Sequence, residues 1–162
     1  MMLFAVALLF SQSAPLASSL PSEEPVAPYA MGPQNLGAIP FHGHAMADAF
    51  GGQAGVRKLV QRMLDLADQD RQIGEIFKGH DHVRLRRALF EQFCTILNAG
   101  CVYSGRTMLA AHKDLGVQRR DMNRLVEILQ QAMAEQHIGF AAQNRFLAKL
   151  APMEGDITQR SR

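Results

Sequence analysis

From Gly55 onward, apolar residues recur at the spacing of a helix. Val56, Leu59, Val60, Met63, Leu64 and the pair Leu66-Ala67 form one face, ended by the polar stretch Asp68-Gln69-Asp70-Arg71-Gln72. A short apolar cluster follows over 73–77, then a loop over 78–82. A second helix is predicted over 81–97, with Leu85, Leu89, Phe93 and Ile96-Leu97 on one face. Arg84, Arg86, Arg87, Glu91 and Gln92 are assigned to the other, and Asn98-Ala99-Gly100 stops it. Residues 101–105 read as an irregular connection, and 107–115 as a short helix stopped by Gly116. The pattern is strongest over 119–135, where Met122, Leu125, Val126, Leu129 and Met133 make a stripe without Gly or Pro. Ile138-Gly139 breaks it. A last helix is expected over 140–152, with Phe146, Leu147 and Leu150 inward. No useful run alternates at period two, so the fold class is all-α.

The first fifty residues differ. Met1 to Phe10 is a continuous apolar run, too short to span a bilayer and of the length of an export-signal core. Small residues follow it, and residues 1–19 are read as a signal peptide that takes the chain to the periplasm or outside the cell. The run lacks Lys and Arg, which leaves open a cytoplasmic protein starting at Met31 or Met46. Pro21, Pro25, Pro28, Pro33 and Pro40, with Gly32, Gly37 and Gly43, make residues 20–45 a flexible linker. His42 and His44 belong to that linker as solvated side chains. The helical domain is placed at 46–157 and a disordered tail at 158–162. No transmembrane segment is expected.

Charge follows the same division. Residues 1–56 hold no Lys or Arg and carry three acids, whereas the rest carries 17 bases and 12 acids. The net charge of +2 in 162 residues argues against nucleic acid as a partner. Cys94 and Cys101 lie seven apart, the spacing of neither a zinc site nor a thioredoxin motif. Two free thiols are expected, with a local disulfide as the alternative if the chain is exported.

Three stretches go beyond pattern: Phe50-Gly51-Gly52, Tyr103-Ser104-Gly105 and the run Met108-Leu109-Ala110-Ala111-His112-Lys113-Asp114-Leu115-Gly116-Val117. In this order the chain resembles the group I truncated haemoglobins, short globins built as a two-on-two helical sandwich. The resemblance implies haem b as cofactor and His112 as its proximal iron ligand. It implies that Met108 and Val117 pack the proximal face, that Phe77 stacks on the porphyrin edge, and that Met122, Leu125 and Leu129 line the inner wall. Met63, Leu64, Leu85, Leu89 and Phe93 complete the pocket. Arg84 or Arg86 would meet a propionate, because guanidinium forks onto carboxylate; His80 and His82 are weaker candidates, and His137 is read as solvated.

Relatives that hold oxygen tightly place Tyr and Gln over the ligand. Here the matching positions are Leu64, Leu85 and Leu89, with Met63 beside Leu64, and all are apolar. Gln92 or Tyr103 is the alternative donor. The resemblance therefore implies a pentacoordinate haem protein that binds O2, CO and NO reversibly and stabilises O2 weakly. A nitric-oxide dioxygenase served by an unidentified reductase is the enzymatic alternative, and a gas sensor the other. No catalytic residue is assigned, and a monomer or weak dimer is expected.

Overall fold

The computed structural model describes residues 22–158. The 1–19 segment and residues 159–162 lie outside the described residues. Among the described residues eight helices follow in order: α1 Ala45–Ala49, α2 Gly52–Gln69, α3 Gly74–Phe77, α4 His82–Ile96, α5 Met108–His112, α6 Arg119–Glu135, α7 Phe140–Leu150 and α8 Glu154–Ile157. Single 3-10 turns stand at Pro33–Leu36 and Ala151–Met153, and the described residues contain no strand.

α2 packs on both α4 and α6, and α6 meets α7. Val56, Leu59, Val60, Met63, Leu64 and Ala67 make the buried face of α2, as its periodicity requires. Phe146 of α7 meets Phe50 and Phe93 edge to face, with ring centroids 5.1 and 5.0 Å away. Arg62 of α2 and Glu135 of α6 tie these two helices at the surface.

Helix ends are specified locally. The Asp81 carboxylate caps α4 by accepting from the Arg84 amide at 3.0 Å. Gln118 and Asp121 form a reciprocal capping box at the start of α6. α4 ends with Asn98 in the left-handed region and the Ala99 amide donating to the Cys94 carbonyl at 2.9 Å. His137 closes α6 in the same way, left-handed, with the Ile138 amide on the Met133 carbonyl.

Three expectations change. The short helix predicted over 107–115 ends at His112, because Asp114 and Gly116 both take positive φ. The last helix stops at Leu150; the chain turns at Pro152 and adds α8, which packs against α5. Residues 22–44, expected as linker, lie along the bundle. Leu36 and Asn35 are buried, Asn35 donates to the Ala30 and Gly105 carbonyls, and the Phe41 amide donates to the Ile96 carbonyl. The breakers forbid helix there, but polar and apolar side chains dock the segment nonetheless.

The cysteines are not free thiols. Cys94 and Cys101 form a disulfide, with Cα atoms 5.6 Å apart. The turn at Asn98–Gly100 folds the chain back after α4, which brings the seven-residue spacing within bonding reach. It fixes the start of the loop leading to α5. Replacing both cysteines by serine is expected to lower stability by about 2–3 kcal/mol, the loop-closure value for so short a ring; urea unfolding of the variant checks it.

Candidate functional site

α5 is too short to persist alone and is held at its N-terminal end. Thr107 caps it, accepting from the Ala110 amide at 3.2 Å. The loop before it is tight: a Cβ on Gly105 would lie 2.2 Å from the Tyr103 hydroxyl, so only glycine fits. That hydroxyl donates to the Arg106 carbonyl at 2.8 Å, and burial pushes the phenol up to about 12.

His112 ends this helix, one turn after Met108. Its Nδ1 lies 2.8 Å from the Met108 carbonyl oxygen. A carbonyl only accepts, so Nδ1 carries the hydrogen and, in the neutral ring, Nε2 carries the lone pair. Burial pushes the His112 pKa below the ordinary histidine value, against the opposing effect of the bond to Met108. The ring is thus neutral at pH 7, with Nε2 free of any partner among the described residues.

His112 borders a cavity of about 430 Å³. Met63 of α2, Phe77 of α3, and Leu85, Leu89 and Phe93 of α4 line one side. Met108 of α5, Val117 of the following loop, and Met122, Leu125 and Leu129 of α6 line it from the other side. Met153 and Ile157 close it from the C-terminal turn and α8, a contribution absent from the sequence reading. Arg84, Arg87 and His80 stand on the lining as well, with Val26, Tyr29 and Arg106.

Some expected neighbours point elsewhere. Leu64 is wholly buried in the core and does not line the cavity. Consecutive helical residues point about 100° apart, so Met63 alone faces the cavity. Arg86 turns to Asp65 of α2 at 3.2 Å, and Arg87 takes the cavity side. His82 is held by the Phe77 carbonyl at 3.2 Å and lies 3.5 Å from Asp68, away from the cavity. Gln92, assigned to the outer face, is buried. Its amide donates to the Leu36 carbonyl at 3.3 Å and contacts the sulfurs of Met108 and Met153. Its position seven residues after Leu85 placed it on the cavity stripe all along.

The tyrosine, glutamine and Arg87 donors on the lining are already engaged. The Tyr29 and Tyr103 hydroxyls serve Ser104 and Arg106 carbonyls, Arg87 binds Glu23 and Glu91, and Gln92 is committed as above. The described residues hold no cluster of three metal-ligating side chains. A bare ion has no cage here. One imidazole lone pair in an apolar chamber with arginines at its border fits a flat apolar cofactor that brings its own metal and carboxylates.

Residues 45–159 match the bacterial-like globin family. The chain belongs to that family. Its fold is that of the truncated globins. The ferric truncated haemoglobin of Tetrahymena pyriformis superposes with a TM-score of 0.68 at 18% identity, over 71% of this chain and 98% of that one. The 2/2 haemoglobin of a Synechococcus species, solved in the cyanomet state with covalently attached haem, gives 0.66 at 18% identity, over the same shares. No curated protein matches the chain.

Two predictions follow from the geometry of this globin. Thr107→Ala should cost about 1 kcal/mol by removing the cap of α5, measurable by denaturant unfolding. The bond from the Arg84 amide, aided by that from Glu24, holds the Asp81 carboxyl below its ordinary value. Its folded pKa lies below its unfolded one, so this contribution is present above about pH 4 and lost as pH falls further. Asp81→Asn should therefore flatten the acid limb of the stability curve, read from urea midpoints between neutral and acid pH.

Proposed function

We propose that this globin binds haem b and uses it to bind diatomic gases reversibly, with His112 as the only protein ligand to iron. The observation that carries this reading is the His112 ring: neutral, oriented through Nδ1 by the Met108 carbonyl, and free at Nε2 beside an apolar cavity. Family membership supports the cofactor. Ferrous haem supplies an open coordination position that takes O2, CO or NO.

The chain's own residues set what that position experiences. His112 would hold the metal, and the Met108 carbonyl fixes its tautomer and raises its basicity. Phe77, Leu125 and Leu129, which line the cavity, would keep water from the cofactor. On the side formed by α2 and α4, Met63, Leu85 and Leu89 present no N–H or O–H to a ligand. A charge-assisted hydrogen bond is worth roughly 1.5–3 kcal/mol. Its absence weakens O2, whose bound form is polar, by about ten- to a hundredfold relative to a pocket with a donor. CO, nearly apolar when bound, loses less. A nitric-oxide dioxygenase requires long retention of O2, and these side chains do not provide for it.

We further propose that the domain works outside the cytoplasm. The Cys94–Cys101 disulfide supports this, since such bonds persist in oxidising compartments. Mass spectrometry of the mature N-terminus tests it: processing near residue 19 is expected, and an intact Met1 in the cytoplasmic fraction contradicts it.

Stopped-flow O2 dissociation tests the gas-binding reading. The wild type should release O2 fast, and Leu89→Gln should slow release by about ten- to a hundredfold while changing CO release less. Slow wild-type release, unaffected by Leu89→Gln, would contradict an apolar ligand site.

A further inference from the structure

The segment from Ser22 to Met31 borders the cavity and belongs to no helix. Pro25 and Pro28 fix two backbone φ angles in it and keep it from joining a helix. Each end is fastened to a different part of the bundle. Toward α4, the Glu24 amide donates to the Asp81 carboxylate at 2.7 Å, and the Glu24 carbonyl accepts from the Arg84 guanidinium. The Glu23 carboxylate takes both Nε and Nη2 of Arg87, with Arg84 Nε 3.4 Å away. Toward the α4–α5 loop, the Tyr29 hydroxyl donates to the Ser104 carbonyl at 2.9 Å. The Ala27 carbonyl accepts from Arg106 Nη2 at 3.3 Å, and the Arg106 guanidinium sits 5.1 Å from the centre of the Tyr29 ring. Val26, between these fastenings, and Tyr29 border the cavity.

We propose that residues 22–31 are a clasp across the haem crevice that sets the rate at which haem enters and leaves, with Glu23 and Tyr29 as its two catches. This rests on the reading of the cavity as a haem site. The clasp joins α4, which forms the ligand side, to the loop that leads into α5, the helix that ends at His112. A rigid macrocycle cannot pass between those walls while the clasp joins them, whereas a diatomic gas needs only a gap between side chains. The catches differ in kind: Glu23 closes by a forked carboxylate–guanidinium pair, Tyr29 by a hydroxyl bond and an aromatic face. Arg84 and Arg87 also lie on the cavity lining, so the carboxylate of Glu23 holds the side chains that a carboxylate of the cofactor would otherwise engage.

The test is haem transfer from the loaded full-length protein to an excess of an apo-globin acceptor, followed by absorbance. Wild type, Glu23→Gln and Tyr29→Ala are compared, together with CO association to each. Hydrogen exchange at the Glu24 amide reports whether the clasp has opened. Glu23→Gln should lose haem faster by about tenfold or more, the factor for one lost charge-assisted hydrogen bond, and Tyr29→Ala by about fivefold, the factor for a neutral one. The Glu24 amide should exchange faster in step, with CO association unchanged. Equal transfer rates in all three proteins, with the Glu24 amide exchanging freely in the variants, would overturn the clasp while leaving the haem site standing. A CO association rate that rises as much as haem loss would overturn its assignment to haem exchange. A wild type that takes up no haem would overturn the underlying reading as well.

Discussion

A single hydrogen bond, from Nδ1 of His112 to the Met108 carbonyl, does two things at once. It fixes which ring nitrogen bears the hydrogen, and it fixes the plane in which the other nitrogen presents its lone pair. The bond exists because both residues lie on one turn of α5, so everything that holds this five-residue helix in place acts on the ring. Thr107 caps it, α8 packs against it, and Gln92 reaches across from α4 to the Met108 sulfur. The loop before it is pinned by the disulfide at Cys101, by the Tyr103–Gly105 contact, and by Asn35 on the Gly105 carbonyl. A helix too short for intrinsic stability becomes a rigid mount through tertiary contacts.

The opposite wall has a simpler logic. α2 and α4 turn Met63, Leu85 and Leu89 to the cavity, and these side chains have shape but no hydrogen-bonding capacity. Polar groups that come near are bound to the protein: Tyr103 to the loop, Gln92 to Leu36, Arg87 to Glu23 and Glu91. Buried polar groups without partners are costly, and this arrangement satisfies them internally. The α2–α4 wall of the chamber is lined by apolar side chains, with charge kept to its border.

The long helices were legible because burial imposes a period of 3.6 on the residues that face inward. α6 begins and ends where its stripe and its capping residues say. Assignments failed where one residue of rotation decides the outcome. Leu64 and Met63 are both apolar, and only packing tells which enters the cavity; Arg86 and Arg87 divide in the same way. Gln92 was set outward for its polarity, although its register matched Leu85 and Leu89. Residues 22–44 escaped notice for another reason. Their backbone is extended and irregular, so no period exists to read, and their fastening runs through pairs 57 to 79 residues apart in sequence, Glu24 with Asp81 and Ala27 with Arg106. The disulfide depended on the reversal at Asn98–Gly100, which spacing alone does not reveal.

The bond between His112 and iron is the claim on which the functional account stands. The most direct measurement is the iron–imidazole stretching band of the ferrous protein by resonance Raman spectroscopy, in wild type and in His112→Gly with and without added imidazole. A band is expected in the wild type, lost in the variant, and restored when free imidazole occupies the vacated space. A band that survives His112→Gly unchanged would contradict it, for the iron would then be held from elsewhere.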